Sequence, residues 1–323
     1  MMAEMKPRPR QQPALPPKTK KKKAMNRPIS RRSAIRQAAG YTATAAVVTS
    51  LMPQIAGAQA ATPAKLKGNI RHSVCRWCYP KLSLDDLCAA SRDMGITGID
   101  LLRPADFPTV KKYGLVCPMV SNPTQDGLGG IGLAWNRLEH HDKLVQAYER
   151  DLPVVADAGF ERLICFSGNR AGLDDQKGLE NCAVGLARIL PLAEKLKVTL
   201  CMELLNSKRN HKDYQCDQVA WGVAMVRRMG SERFKLLYDI YHMQIMDGDV
   251  CQTIHDYHQY FDHYHTGGVP GRGEIDETQE LNYARVMQEI VTSGFKGFVA
   301  QEFEPKRKDV LASLRQAVAI CDV

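Results

Sequence analysis

From residue 69 onward, short apolar runs alternate with longer stretches whose apolar positions recur near a 3.6-residue spacing. That alternation is the pattern of a parallel sheet joined by crossover helices. Eight runs read as strands: 70–75, 98–102, 115–120, 162–166, 198–204, 234–239, 261–265 and 297–303. Helices are predicted over 84–94, 143–158, 179–196, 218–229, 281–292 and 310–320. In the second of these, Val145, Leu152, Val155 and Ala158 form one apolar stripe. The second crossover, near 107–113, is short. The third begins in a loop rich in glycine (Gly127, Gly129, Gly130, Gly132), which reads as a flexible flap over the mouth of the fold. Eight strand–helix units predict an α/β fold closed as a single (β/α)8 barrel over 61–323, and about 250 residues is the usual size of one. An open doubly wound sheet is the alternative topology. No G-x-G-x-x-G follows the first strand, so a dinucleotide site lacks its fingerprint.

Charge changes the picture at the N-terminus. The chain of 323 residues carries a formal +9, but residues 1–60 hold 12 of its 44 Lys and Arg and only one of its 35 Asp and Glu. From residue 61 onward, 32 basic residues face 34 acidic ones, so the folded part is near −2 and a nucleic-acid partner is not expected. The Pro- and Lys-rich text up to Lys23 is too polar to pack and is expected to be disordered. Ser30-Arg31-Arg32-Ser33-Ala34-Ile35-Arg36 then precedes an uncharged stretch from Gln37 that ends in Ala58-Gln59-Ala60, a twin-arginine signal pattern with cleavage expected after Ala60. Thr42, Thr44, Thr49, Ser50 and Pro53 dilute that stretch below the roughly 20 apolar residues of a membrane span. The expectation is a leader over 1–60 without a stable anchor, export by the twin-arginine machinery, and a periplasmic location. Translation starts at Met1 or Met25 on this reading.

All ten cysteines follow the leader, with one C-x-x-C at Cys75 and Cys78; disulfide and metal ligation are both open for that pair, and core packing is the expected role of the rest.

In a (β/α)8 barrel the active groups gather at the C-terminal strand ends. Here the last four apolar runs end in Glu203, Asp239, His265 and Glu302. An acid or imidazole in a barrel interior is costly unless a cation sits beside it. Four from successive strands converge on one point, and three carboxylates with one imidazole suit a divalent Mn²⁺, Co²⁺ or Mg²⁺ ion. Neighbouring candidates for substrate binding are His242, just beyond the sixth strand, Arg272 in Gly271-Arg272-Gly273-Glu274, and the loop residues Asn206 and Asn169.

From about residue 69 to its end the chain resembles the xylose isomerase-like TIM barrel superfamily, and within it the hydroxypyruvate isomerase-like proteins. The likeness rests on Glu203-Leu204-Leu205-Asn206, on Tyr238-Asp239-Ile240-Tyr241-His242-Met243-Gln244, on Pro270-Gly271-Arg272-Gly273-Glu274-Ile275, and on Gln301-Glu302-Phe303-Glu304-Pro305. It implies one metal held by Glu203, Asp239, His265 and Glu302, with Glu203 and Glu302 also acting as the catalytic acid and base. One departure stands out. Hydroxypyruvate isomerases have Gln where this chain has His265, whereas ketose 3-epimerases have His.

The expected activity is isomerisation or epimerisation of a small hydroxy-carbonyl compound or sugar through an enediolate. One glutamate removes a proton and the other returns one. The alternative is a metal-dependent lyase or hydrolase acting on a keto-sugar or glycoside. A DNA-cutting relative of the superfamily would want several metal ions and many more histidine ligands than a chain with nine His offers. The expected partners are a small carbohydrate substrate and the export machinery, with a homo-oligomer open.

Overall fold

The computed structural model describes residues 65–323. The leader 1–60, with Arg31, Arg32 and Ala60, lies outside the described residues. The strands are β1 (Arg71–Cys75), β2 (Gly98–Asp100), β3 (Arg162–Cys165), β4 (Thr199–Glu203), β5 (Phe234–Asp239), β6 (Phe261–Thr266) and β7 (Phe298–Gln301). The helices are α1 (Leu84–Asp93), α2 (Phe107–Lys112), α3 (His141–Asp157), α4 (Asp175–Leu196), α5 (Val219–Met229), α6 (Ile240–Met246), α7 (Val250–Tyr257), α8 (Tyr283–Thr292) and α9 (Val310–Cys321).

The strands form one parallel sheet in the order β2-β1-β7-β6-β5-β4-β3. The eighth expected strand, 115–120, is not a regular one. It makes single parallel bridges, Gly98↔Val116 and Leu102↔Val120 to one side and Val120↔Leu163 to the other. Those bridges place it between β2 and β3, so it closes the ring as an eighth stave. Its irregularity has a local cause: Pro118 has no N–H to give a ladder. Gly98 accommodates that proline, since a Cβ there would come within 2.4 Å of Pro118 Cγ.

Covered on both faces, the strands read as continuous apolar runs, and every residue of β4 is buried. The helices begin where side chains meet their free N–H groups. Ser83 caps α1, Asp174 caps α4 and Asp309 caps α9, each accepting from a backbone N–H. α5 ends at Gly230 with φ +63°. The predicted helices all form, with ends displaced by a few residues. The stretch after β5, for which no helix was expected, folds into α6 and α7. Among the described residues, no helix is long and apolar enough to cross a membrane.

Candidate metal centre

The four strands β4 to β7 are sheet neighbours, and their register aligns Asp239 with His265 and His265 with Ala300. Glu203, Asp239 and His265 therefore end or nearly end adjacent strands, and Glu302 follows β7 by one residue. All four are buried, and one ligand atom from each lies within 4.8 Å of every other. The predicted convergence is thus present in the geometry.

Asp239 does double duty. Its Oδ1 accepts from the backbone N–H of His242 at 3.1 Å, capping α6, while Oδ2 faces the cluster. The run Asp239-Ile240-Tyr241-His242 thus starts a helix at the strand end and sets His242 at its third position, facing the site.

The donor set fits a divalent cation on two grounds. His265 Nδ1 stands 2.6 Å from Glu302 Oε2 and 3.4 Å from Glu203 Oε1, yet it aligns as a hydrogen bond with neither. A ring nitrogen and two carboxylate oxygens converge on a common point rather than on one another. The second ground is charge. Burial, reinforced by Glu302, pushes Glu203 up to about 7, and burial raises Asp239 to about 6 despite Arg272. Burial would also raise Glu302, but Arg272 and His265 prevail and hold it well below the usual range. Three buried carboxylates share one guanidinium and one imidazole, so the cluster is short of positive charge.

Arg272 supplies that guanidinium. Its Nη2 donates to Asp239 Oδ2 at 2.6 Å and to Glu302 Oε2, and Nη1 lies 2.8 Å from His242 Nε2. Its group also lies over the ring of Tyr241, 4.9 Å from the centroid. A tight loop carries it: Gly268 pairs with Gly273, and a Cβ at Gly268 would meet Glu274 O at 2.3 Å. Glu274 anchors that loop by accepting from the Lys306 and Arg307 N–H groups at 2.7 and 2.9 Å.

The cluster floors a cavity of about 520 Å³ lined by Glu203, His242, Arg272 and Glu302 on one side and by Leu101, Ile131, Ile164 and Phe166 on the other. Asn206 is fully buried and works through its neighbour: its Nδ2 donates to His242 Nδ1 at 2.6 Å, and its Oδ1 accepts from the Arg209 and Asn210 N–H groups. Those backbone donors fix the amide's orientation. Burial, with Arg272 nearby, holds His242 neutral. A neutral ring has one acceptor nitrogen. Both neighbours can only donate, Asn206 Nδ2 at Nδ1 and the Arg272 guanidinium at Nε2, so the ring is held between two competing donors at the edge of the cavity. Asn169 stands apart, on the loop after β3. Its backbone pairs with Gly132 and Tyr214, its side chain packs on Gly132, and it does not line the cavity.

Three residues escaped the sequence reading. Trp77, between the two cysteines, donates Nε1–H to Glu302 Oε1 at 2.6 Å. His211 packs its ring 5.1 Å from that of His242 and lines the cavity. Arg103 reaches the same cavity from the end of the second stave. Cys75 and Cys78 are both buried and unpaired.

A model of the xylose isomerase-like TIM barrel family matches residues 89–319. A putative hydroxypyruvate isomerase from Homo sapiens is 32% identical over 105 residues, which are 32% of this chain and 38% of that protein. A D-psicose 3-epimerase from Agrobacterium fabrum is 30% identical over 138 residues, 39% of this chain and 45% of that protein. The chain thus spans less than half the length of these curated relatives. Among solved structures, an AP endonuclease, family 2, from Brucella melitensis superposes with a TM-score of 0.69 at 23% identity, covering 76% of this chain and 96% of that one, a likeness of fold. With 231 of its 323 residues inside the family match and the parallel barrel in place, the chain belongs to the xylose isomerase-like TIM barrel family.

Proposed function

We propose that this chain is a metal-dependent isomerase or epimerase of a small hydroxy-ketone or keto-sugar, and that Glu203 and Glu302 move the proton. One observation carries the reading. The two glutamates flank a single imidazole nitrogen at the cavity floor, and their surroundings drive their acid strengths apart, one up to about 7 and the other well below the usual range. Two carboxylates so separated are ready to act as proton donor and proton acceptor in one turnover. The relatives' names, a hydroxypyruvate isomerase and a psicose epimerase, support the same class.

Glu203, Asp239, His265 and Glu302 would hold the ion. A divalent ion held there would supply Lewis-acid polarisation of a substrate carbonyl and charge for the anion left when the neighbouring C–H loses its proton. The protein does the rest. Glu302, kept ionised by Arg272 and steadied by Trp77, takes the proton at a carboxylate oxygen. Glu203, ionised as a ligand and the more basic of the two, would take a proton from solvent and return it to carbon. Delivery to the next carbon completes an isomerisation, and delivery to the other face of the same carbon an epimerisation. His242, held between Asn206 and Arg272, borders the cavity where it would meet a substrate oxygen. The apolar wall of Ile131, Ile164 and Phe166 takes the carbon skeleton and limits water at the reacting atoms.

The test is to load the chain with Mn²⁺ and assay hydroxypyruvate and free ketoses for conversion to isomer or epimer. Conversion that stops in Glu203→Gln and Glu302→Gln is expected. An active Glu302→Gln enzyme would refute the assignment, and a metal-loaded protein that cleaves a glycoside or eliminates water from a keto-sugar would move the reading to a lyase or hydrolase. Export belongs to the same proposal, supported by Arg31, Arg32 and the Ala58-Gln59-Ala60 site. Replacing both arginines by lysine should trap the protein in the cytoplasm, and an unchanged periplasmic fraction would count against it.

A further inference from the structure

Beneath the cluster, in the barrel interior, lies a second group of ionisable side chains that the proposed reaction does not use. Asp100 ends β2 and is fully buried. Its Oδ2 lies 2.5 Å from His263 Nε2 and 3.5 Å from His265 Nε2. His263 and His265, two apart on β6, point to the same face of the strand, and their rings meet edge to face at 5.1 Å. Asp100 has no lysine or arginine partner among the described residues; its hydrogen-bond and ion-pair partners are those two imidazoles. A buried carboxylate costs several kcal/mol unless well paired, and an apolar residue would fill the same space at less cost. Packing alone therefore gives no reason for an acid here.

We infer that Asp100 is a positioning residue for the metal ligand His265, with His263 as the clamp that fixes Asp100 in turn. The inference rests on the metal reading of the cluster above. An imidazole ligates through an unprotonated nitrogen, and an acceptor at its other nitrogen decides which one that is. In this chain His265 turns Nδ1 toward Glu203 and Glu302 and Nε2 toward Asp100. At 3.5 Å the carboxylate is the charged neighbour of Nε2 and favours the proton there, which would leave the Nδ1 lone pair toward the ion. The closer bond, from His263, holds Oδ2 at the place where it can do this. Cys75 Sγ, hydrogen-bonded to the same Nε2 at 3.8 Å, is an uncharged and weak acceptor that does not replace a carboxylate. Asp100 belongs to β2 and the histidines to β6, with β1 and β7 between them in the sheet, so the contact crosses the barrel and ties the ligand to the opposite wall.

The test compares the full chain with its Asp100→Asn variant, which keeps the shape and removes the charge. Manganese affinity is read from the electron-spin signal of free Mn²⁺. The His265 Nε2–H is read from its ¹H–¹⁵N correlation in metal-free protein and with Mg²⁺. The inference predicts about 10–100-fold weaker Mn²⁺ binding in Asp100→Asn, with the thermal midpoint of the metal-free protein little changed. It also predicts an Nε2–H signal in the wild type that is lost or displaced in the variant, and Cys75→Ala binding Mn²⁺ within about twofold of wild type. Wild-type affinity in Asp100→Asn with the Nε2–H signal intact would overturn it. A wild-type chain that binds no Mn²⁺ would bring down the metal reading instead, and the orientation claim would then stand or fall on the Nε2–H signal alone. Should Asp100→Asn fail to fold, His263→Gln leaves the carboxylate and removes its clamp: several-fold weaker binding supports the inference, and unchanged binding refutes it.

Discussion

The two arcs of this barrel end very differently. Strands β4 to β7 finish in Glu203, Asp239, His265 and Glu302, with His242 leaning in from the first turn of α6 and Arg272 from the loop after β6. The other arc, from β1 through β2 and the 115–120 stave to β3, finishes in Cys75, Asp100, Val120 and Cys165, and lends the cavity Leu101, Ile131, Ile164 and Phe166. One arc concentrates its acids at the mouth; the other supplies the apolar wall, with Arg103, Ser121 and Asn122 as its polar lining, and turns the acid Asp100 inward. On the proposed function, such a site would bind its substrate with a direction, oxygens toward β4–β7 and carbons toward Ile164 and Phe166. The regular ladder lies where ligands must be held in register, and the irregular stave lies where only a wall is needed.

The comparison breaks most readily at the glutamates. Glu302→Gln and Glu203→Gln are each expected to lower kcat by roughly 10²–10⁴-fold, as loss of a placed acid or base does, with metal still bound in an equilibrium titration. Loss of the same size from Phe166→Ala, on the far arc, would mean that the chemistry is not confined to β4–β7.

Acidity tests the charged arc next. Glu203 is raised to about 7 by burial, so in the folded protein it carries a proton below that pH and must shed it to ligate. Metal affinity should therefore fall as pH falls, by about tenfold per unit below about 7 for one proton released. A flat titration from pH 8 to 5 would contradict Glu203 as a ligand.

The apolar arc has its own sharpening experiment. Gly98→Ala places a methyl against Pro118 and is expected to destabilise by about 1–3 kcal/mol in a urea titration. Metal affinity should not change, because the strained contact sits on the far arc. The smallest effect is expected at His242→Gln. The loss of one hydrogen bond to a substrate oxygen, about 1 kcal/mol, should appear as about a fivefold rise in KM.

The same contrast explains what the sequence made legible. A strand that ends in an acid after an apolar run announces itself, and Glu203, Asp239, His265 and Glu302 were all readable by that rule. Asp100 obeys it too. It went unseen because Leu101 and Leu102 prolong the apolar run, so that the strand seemed to extend past it, whereas β2 stops at Asp100. Trp77 was masked by the cysteines on either side, which drew attention as a pair but lie unpaired in the core. Asn206 was expected to bind substrate, but it is fully buried, does not line the cavity and contacts His242, a pairing of residues 36 positions apart that no local pattern reveals. Asn169 looked equivalent in sequence and is held away from the cavity by its pairing with Gly132 and Tyr214. The stave at 115–120 has strand-like composition, and only the missing N–H of Pro118 hints that its ladder would fail.

Solvent exchange tests the central claim most directly. The Mg²⁺-loaded chain is incubated in D₂O with hydroxypyruvate and, separately, with a free ketose, and the substrates are followed by proton NMR. The account predicts metal-dependent appearance of deuterium on the carbon next to the carbonyl, absent in Glu203→Gln and Glu302→Gln. Firm metal binding without exchange on any hydroxy-carbonyl substrate, or exchange that persists in both glutamine variants, would contradict it.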